Sequence, residues 1–222
     1  MWRPIFNSAV LQDHYEALKA SLDADKFSGY PKDYQRVDQK TLPVIENLHV
    51  FAGSHVLEIG SNFGMYSLLM SPIARQVTAV ELDPTIYKAS LKWRQFFERL
   101  GYSFDNVRTI NGNVASSLSI EYDALLLTLV LYHLTNDEID LLIEDARKKC
   151  ERMVIQCRPG RMLAKERGSF VGYVSKTDRF DGLFDIASNI RFMRTVGMKK
   201  INVHVNPELL GDEAFPVLVG YR

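Results

Sequence analysis

Two segments decide the fold of this chain: Val56-Leu57-Glu58-Ile59-Gly60-Ser61-Asn62-Phe63-Gly64, and Val77-Thr78-Ala79-Val80-Glu81, which ends 21 residues after Gly60. Their pattern predicts a buried strand, a tight glycine turn that opens a helix, and a second buried strand that ends in a carboxylate. Such a unit forms a nucleoside-binding crevice in an open α/β sheet, because the turn lets the backbone approach the ligand and the carboxylate accepts hydrogen bonds from ribose hydroxyls.

The glycine turn does not fit a dinucleotide. The dinucleotide fingerprint requires glycine at its first, third and sixth positions, which here hold Gly60, Asn62 and Met65. Asn62 still suits a tight turn, because asparagine is one of the non-glycine residues that most readily adopt a positive φ. Glu58, just before the turn, would repel a pyrophosphate and attract a cation.

Glu58 to Gly64 resembles the first motif of the class I S-adenosylmethionine-dependent methyltransferases, which is an apolar strand, an acidic residue and a turn of the G-x-G-x-G or G-x-N-x-G kind. The resemblance covers about residues 50 to 222 and implies methyl transfer with S-adenosylmethionine as the cofactor. This cofactor has a sulfonium, an ammonium and a ribose but no phosphate, so Glu58 and Glu81 suit it electrostatically. A Rossmann-like domain that binds another nucleotide, or no ligand, is the alternative.

Length and composition indicate a single soluble domain. The chain has 222 residues, a length that suits one domain with a sizeable core. Its longest apolar stretches, residues 124–127 and 129–132, are too short to span a bilayer, and residues 1–8 lack the apolar core of a secretory signal. We therefore expect a cytoplasmic protein. Cys150 and Cys157 lack metal-ligand spacing, and we expect both to be reduced.

The formal net charge is zero, but the charges are unevenly distributed. Residues 1–146 hold 12 Lys+Arg and 19 Asp+Glu, whereas residues 147–222 hold 15 and 8, so the two parts carry −7 and +7. Much of the positive excess lies between Arg147 and Arg167, where eight basic residues face two acidic ones. Such an asymmetry can mark an anionic partner.

Strands and helices alternate along the chain and predict an α/β fold, a single-domain Rossmann-like doubly wound sheet of about seven strands. We expect it to be mostly parallel with an antiparallel C-terminal strand, because two closing strands joined by a short connection run antiparallel. Residues 1–50 are expected to form an N-terminal helical cover, with helices over 8–23 and 38–51, and residues 51–222 the methyltransferase domain. The predicted strands cover residues 55–59, 77–81, 107–110, 122–130, 153–157, 200–205 and 215–221.

Helix ends are predicted from capping residues. Asp83 is expected to cap a helix that has Pro84 at its first position. Thr135 and Glu138 have the spacing of a capping box. A last helix is expected over residues 183–196, where Gly197 follows.

Ligands in such sheets bind at the carboxyl ends of the strands, where the strand order reverses. A carboxylate that ends a buried strand needs a partner, and the ribose diol would supply one to Glu81. By the resemblance, Asn113 would hydrogen-bond the adenine amino group while Leu82 and Val114 sandwich the ring; the alternatives are a turn asparagine and plain core residues. The predicted cofactor-binding residues are Glu58, Gly60, Ser61, Asn62, Gly64, Glu81, Leu82, Asn113, Val114 and Leu129.

Tyr132 and His133 follow the fourth strand, where the resemblance implies residues that face the methionine moiety and the acceptor. A histidine whose pKa lies near neutrality could take the acceptor proton as a general base. The alternative is that His133 packs beside the next helix and bonds to backbone. No metal is expected, because metal-dependent catechol-type members carry an aspartate near the end of the fourth strand, where this chain has Thr128 to Val130.

Arg158, Arg161 and Tyr34 are the predicted acceptor-binding residues. Arginine forks bind carboxylate or phosphate in a bidentate manner, so we expect methyl transfer to an oxygen or nitrogen of a small anionic metabolite. A solvated basic loop is the alternative for the two arginines. The alternative functions are an RNA (tRNA) modifying methyltransferase, a nicotinamide or flavin oxidoreductase, and a non-catalytic nucleoside-binding domain.

Overall fold

The computed structural model describes residues 41, 43–158, 176, 179–182, 185–205 and 215–222. Residues 43–47 are helical. The strands are β1 (His55–Ile59), β2 (Gln76–Glu81), β3 (Val107–Asn111), β4 (Ala124–Thr128), β5 (Arg152–Gln156), β6 (Lys200–His204) and β7 (Val217–Tyr221). The α-helices are α1 (Met65–Met70), α2 (Pro84–Arg99), α3 (Val114–Ser117), α4 (Asn136–Lys149) and α5 (Ile186–Val196), and short 3₁₀ helices cover Leu48–Phe51, Leu131–His133 and Arg179–Gly182.

The seven strands form one sheet in the order β3-β2-β1-β4-β5-β7-β6. Strand β1 pairs in parallel with β2 and β4, β2 with β3, and β4 with β5. Strand β7 runs antiparallel to both β5 and β6. The predicted fold class is confirmed. The strand order reverses between β1 and β4, and open α/β sheets bind ligands at the carboxyl ends of strands at such a point.

The core lies on both faces of the central parallel strands, as is usual where helices cover a sheet on both sides. Leu57, Leu125 and Leu127 of the strands are fully buried, as is Phe192 of α5. Among the described residues, no helix combines the length and apolar character needed to cross a membrane.

The predicted helix ends at Asp83 and Thr135 are confirmed. The Asp83 carboxylate accepts hydrogen bonds from the backbone N–H groups of Thr85 at 2.7 Å and Ile86 at 3.2 Å. Thr135 and Glu138 form the expected reciprocal capping box at the start of α4. Local sequence rules therefore determine these boundaries.

Strand four and the last helix are shorter than predicted. The strand expected over 122–130 ends at Thr128, because Leu129 has φ 54 in the left-handed region and cannot continue the ladder. The helix expected over 183–196 begins at Ile186, because the Asp185 carboxylate caps it by accepting from Ser188 N–H at 2.7 Å. Strand β1 has the predicted bounds, and the other strand ends lie within two residues of the predicted ones.

The predicted cover helix over 8–23 lies outside the described residues. Within the helix predicted over 38–51, residues 43–47 are helical and Leu48–Phe51 forms a 3₁₀ turn. The division into a cover over 1–50 and a methyltransferase domain over 51–222 stays a prediction.

Several basic side chains in the second half of the chain bind backbone carbonyls near helix ends. Arg222 donates to the Ala146 and Arg147 carbonyls at 3.2 and 2.6 Å, at the end of α4. Arg147 in turn donates to the Thr195 carbonyl at 2.7 Å, in the last turn of α5. Cations at these positions donate to carbonyls of the last helical turn and complement the helix dipole, so part of the positive excess has a structural role.

Lys149 is the most enclosed of these cations. Its Nζ lies 2.9 Å from the Asp145 carboxylate and donates to the carbonyls of Leu118 at 2.8 Å and Ile120 at 2.9 Å. Tyr122 donates to the same carboxylate at 2.9 Å. The network joins α4 to the segment that follows α3. The first residue of α3, Val114, is one of the predicted cofactor-binding residues.

We expect Lys149→Met to lower the free energy of unfolding by about 1–3 kcal/mol, because a largely buried carboxylate and two carbonyls lose their donor. Lys148→Met is the matched control, since Lys148 and Glu144 form an i,i+4 pair on the same helix, but with side chains 66% and 69% exposed against 16% and 12% for Lys149 and Asp145. Denaturant unfolding should show no measurable change for this control. Equal losses for the two variants would contradict the network.

Candidate functional site

The turn after β1 has the conformation that its residues predict. Gly60, Asn62 and Gly64 all have positive φ, at 71°, 54° and 75°. The backbone N–H groups of Gly60 and Ser61 both donate to the Val80 carbonyl, at 2.9 and 3.1 Å, which holds the turn against β2. Asn62 thus takes a left-handed position that glycine usually occupies.

The loop after β4 closes directly on this turn. A Cβ atom added to Gly60 would lie 2.5 Å from Cγ2 of Val130, a distance that real contacts do not reach. Leu129 has the left-handed φ of 54° noted above and directs the chain toward β1, while its N–H donates to the Gln156 carbonyl at 3.3 Å. Gly60 is therefore required both by its own backbone and by Val130, and this contact was not predicted from the sequence.

Glu81 connects the turn to the end of β2. Its Oε2 accepts from the Asn62 N–H at 2.8 Å, and its Oε1 accepts from the Asp83 N–H at 2.9 Å. The premise that Glu81 has no partner in the chain was wrong, since the chain itself supplies two donors, and ribose binding stays a prediction. Each carboxylate oxygen can still accept a second hydrogen bond.

Two buried polar atoms in the β1 turn lack a hydrogen-bond partner among the residues that the structure describes. They are Oε1 of Glu58, whose side chain is 0% exposed, and Oγ of Ser61, which is 3% exposed. The other Glu58 oxygen, Oε2, accepts from the Ser67 hydroxyl of α1. Because unsatisfied buried polar groups are rare, the pair marks a place where a ligand would complete the structure.

The pKa of Glu58 is raised from 4.5 to about 8: burial makes the largest contribution, the charge of Glu81 adds to it, and the hydrogen bond from Ser67 opposes both effects. The carboxyl group is therefore held in an environment that favours its neutral form unless a cation approaches. A perturbed acid in a crevice is typical of a functional site.

The adenine-binding prediction receives mixed support from the geometry. Asn113 is the N-cap of α3, and its Oδ1 accepts from Ser116 N–H at 3.2 Å and Ser116 Oγ at 3.1 Å. The oxygen that would accept from the adenine amino group is thus engaged in the cap. Val114 is a buried core residue, whereas Leu82 is 63% exposed and offers apolar surface.

Asn111 is a site residue that the sequence reasoning missed. Its amide donates to the carbonyls of Glu81 at 2.8 Å and Leu82 at 3.0 Å, and so positions the segment after β2. Its place at the end of β3 was the available signal, because strand-end residues of neighbouring parallel strands meet at one edge of the sheet.

Tyr132, His133 and Arg158 lie together beyond β4 and β5. The Tyr132 and His133 ring centroids are 4.2 Å apart, and the Arg158 guanidinium lies 4.7 Å from the Tyr132 centroid. Although His133 is partly open to solvent, partial burial and then the charges of Arg158 and Lys176 lower its pKa to about 4. The expectation of a near-neutral pKa was wrong, because partial burial and then the basic neighbours disfavour the imidazolium.

The structure thus joins Asn62 to Glu81 and Gly60 to Val80 through hydrogen bonds, and it places Tyr132 beside Arg158. The other two predicted acceptor-binding residues, Tyr34 and Arg161, lie outside the described residues.

Comparison with known proteins agrees with this geometry. No family model matches the chain. The protein-L-isoaspartate O-methyltransferase of Brucella anthropi is 33% identical to it over 97 residues, which make up 43% of this chain and 43% of that protein. The chain therefore matches less than half of the length of this relative.

Solved structures share the fold over a longer range. The magnesium protoporphyrin IX methyltransferase of Synechocystis PCC 6803 with bound SAH has a TM-score of 0.64 and 15% identity, covering 99% of this chain and 97% of that one. The N-methyltransferase NodS of Bradyrhizobium japonicum WM9 has a TM-score of 0.58 and 15% identity, covering 86% and 98%. The resemblance found in the sequence is confirmed: the chain has the fold of the class I S-adenosylmethionine-dependent methyltransferases.

We expect Gly60→Ala to lower the free energy of unfolding by about 2–4 kcal/mol, because a left-handed alanine and the overlap with Val130 both oppose it. Gly53→Ala is the matched control: Gly53 has φ 72, but no atom lies within 4 Å of the added Cβ, so it should lose only about 1–2 kcal/mol. Denaturant unfolding of both variants tests this. A Gly53 variant as damaged as the Gly60 variant would refute the role of Val130.

Proposed function

We propose that this chain binds S-adenosylmethionine at the β1 turn and transfers its methyl group to an oxygen or nitrogen of a small anionic metabolite. The observation that carries the proposal is the pair of buried atoms without described partners, Glu58 Oε1 and Ser61 Oγ, at the point where the strand order reverses. A carboxylate and a hydroxyl fit a ligand that presents cationic and hydrogen-bonding groups. They do not fit a phosphate, because a buried acidic group offers no counter-charge to a phosphate and would oppose it if ionised.

The remaining contacts of the cofactor would come from the neighbouring strand ends. Glu81 has acceptor capacity left on both oxygens for ribose hydroxyls, and its fixed geometry keeps that capacity oriented. Leu82 offers exposed apolar surface for the adenine ring. Asn113 caps α3 and would act by positioning the backbone that follows it.

When bound, S-adenosylmethionine supplies an electrophilic methyl group on a sulfonium, a strong leaving group that needs little acid or base assistance. His133 fits this requirement, because an imidazole with a pKa of about 4 is neutral at physiological pH. Its ring nitrogen can accept a hydrogen bond from an O–H or N–H group of the methyl-accepting substrate, but it binds a proton only weakly. We therefore assign His133 to orienting the acceptor, with the rate resting on positioning.

Arg158 is the described residue best suited to an anionic acceptor. It follows β5 at the carboxyl edge of the sheet, and its guanidinium is held near the Tyr132 ring at 4.7 Å. Contact with an aromatic ring restricts the guanidinium, so less conformational freedom is lost when it binds a carboxylate or phosphate.

An RNA acceptor has less support. The positive excess of the second half suggested it, yet Arg147, Arg194 and Arg222 donate to backbone carbonyls near helix ends. If RNA were the acceptor, binding would show a log–log salt slope of several units, because several phosphates release counterions. A metabolite with one anionic group would show a shallow slope.

Calorimetric titration tests the cofactor. We expect S-adenosylmethionine to bind and NAD not to, and Glu81→Ala to weaken the cofactor about 5- to 150-fold, which corresponds to ~1–3 kcal/mol for lost charged hydrogen bonds. Glu98→Ala is the control, since Glu98 pairs with Arg94 on the surface of α2. NAD binding tighter than S-adenosylmethionine would refute the proposal.

The acceptor's charge is tested by Arg158→Gln and Arg158→Lys. The acceptor itself would be found by assaying methyl transfer from labelled S-adenosylmethionine to a panel of metabolites with carboxylate or phosphate groups. We expect Arg158→Gln to raise the KM for that acceptor about 10- to 100-fold with little change in cofactor affinity, and Arg158→Lys to have a smaller effect because it keeps the charge and loses the fork. An unchanged KM in Arg158→Gln would assign Arg158 to the protein surface.

A further inference from the structure

Glu58 is a buried carboxyl group that has no cation paired with it among the described residues. It is fully buried in β1, where its Oε1 lacks a described partner and its Oε2 accepts from Ser67 of α1. No Lys, Arg or His among the described residues forms an ion pair with it. On the β4 side it is paired with Leu126, which is apolar.

Among the described residues, two titratable groups interact with Glu58: the carboxyl group of Glu81 and the phenol of Tyr66. Glu58 is paired with Ala79 of β2, so Glu81, two residues further on, projects from the same face of the sheet as Glu58. Beyond the effect of burial, the negative charge of Glu81 raises the pKa of Glu58, and the charge of Glu58 in turn raises the pKa of the Tyr66 phenol on α1. Burial and the negative charge of Glu81 therefore both oppose the ionisation of Glu58.

A cation that binds beside the turn would instead favour the ionised form of Glu58 over the neutral acid. A buried carboxylate without a partner is far less stable than its neutral acid, whereas one that pairs with an ammonium or sulfonium is favoured. Oε1 is the oxygen with capacity for that contact, because Ser67 holds Oε2.

We propose that Glu58 becomes ionised only when the cationic cofactor binds, so that capture of one cofactor molecule releases one proton to solvent. This inference rests on the proposed function. The proton leaves the Glu58 carboxyl group for the buffer, and the resulting carboxylate balances the charge of the ligand. The site thereby selects for cationic ligands, because a neutral nucleoside would leave the acid protonated.

The direction of the pH dependence follows from the raised pKa of about 8 in the ligand-free chain. Below pH 8 the group carries a proton that binding must remove, so cofactor affinity rises with pH by up to tenfold per unit. Above about pH 8 the proton is already gone and affinity becomes independent of this group.

The folding equilibrium provides a check without ligand. A carboxyl group whose folded pKa exceeds its unfolded value stabilises the chain below pH 4.5 and loses that contribution as pH rises toward 8. Glu58→Gln is the matched variant, because glutamine has the shape of the neutral acid but cannot ionise. Wild type should lose stability relative to Glu58→Gln between pH 5 and pH 8.

Calorimetry of S-adenosylmethionine binding at pH 6.5, in buffers of different ionisation enthalpy such as phosphate and imidazole, counts the protons released. We expect about one proton per bound cofactor for wild type and none for Glu58→Gln. Methylthioadenosine, which lacks both the sulfonium and the ammonium, should bind wild type without proton release. Ser67→Ala should shift the plateau of cofactor affinity to higher pH, because the hydroxyl that favours the ionised form is lost.

The outcomes separate the two proposals. Cofactor binding without proton release, or equal release by wild type and Glu58→Gln, would overturn the proton-coupled role of Glu58 and leave the proposed function standing. No binding of S-adenosylmethionine by wild type would overturn both. Equal proton release with methylthioadenosine would also overturn the inference, since no cation would then be required.

Discussion

The site depends on one carboxylate that is bound by backbone at both oxygens. Glu81 accepts from Asn62 in the turn after β1 and from Asp83 at the start of α2, at 2.8 and 2.9 Å. These hydrogen bonds connect the end of β2 to the start of α2 and to the turn after β1, 19 residues away in sequence, and the part-buried N–H groups would lose their acceptor without them. Three other features of the site lie in the segments that this connection joins or next to them. They are the left-handed φ of Asn62, the close approach of Val130 to Gly60 and the exposed side chain of Leu82.

The two acidic residues of the crevice have different roles because their surroundings differ. Glu81 is satisfied by fixed dipoles and provides structure, with acceptor capacity left over. Glu58 lies on the same face of the sheet but has one oxygen without a described partner, and its pKa is raised to about 8. Paired carboxyl groups whose environments diverge are a common way in which one site acquires both a structural and a responsive group.

Local rules account for what could be predicted from the sequence. The turn conformation at Asn62, the cap at Asp83 and the capping box at Thr135 each depend on residues within a few positions, and all three are observed. The alternation of strands and helices then predicts the sheet, because parallel strands with helical connections have few arrangements.

Predictions that depend on tertiary contacts were less successful. The end of β4 depends on Leu129, whose left-handed backbone no local signal indicated. The lowered pKa of His133 depends on its partial burial and on the charges of Arg158 and Lys176, which are remote in sequence. The basic residues of the second half suggested a binding surface, but several of them donate to backbone carbonyls near helix ends. These contacts could not be predicted from the sequence, because they depend on how α4, α5 and Arg222 pack together.

Amide hydrogen exchange with and without S-adenosylmethionine tests the central claim most directly, since it reports where the ligand binds. The account predicts slower exchange at the turn after β1 and at the segment after β2, residues 60–67 and 81–86, with no change in the edge strand β6. Protection confined to other parts of the sheet, or unchanged exchange in a sample saturated with S-adenosylmethionine, would contradict it.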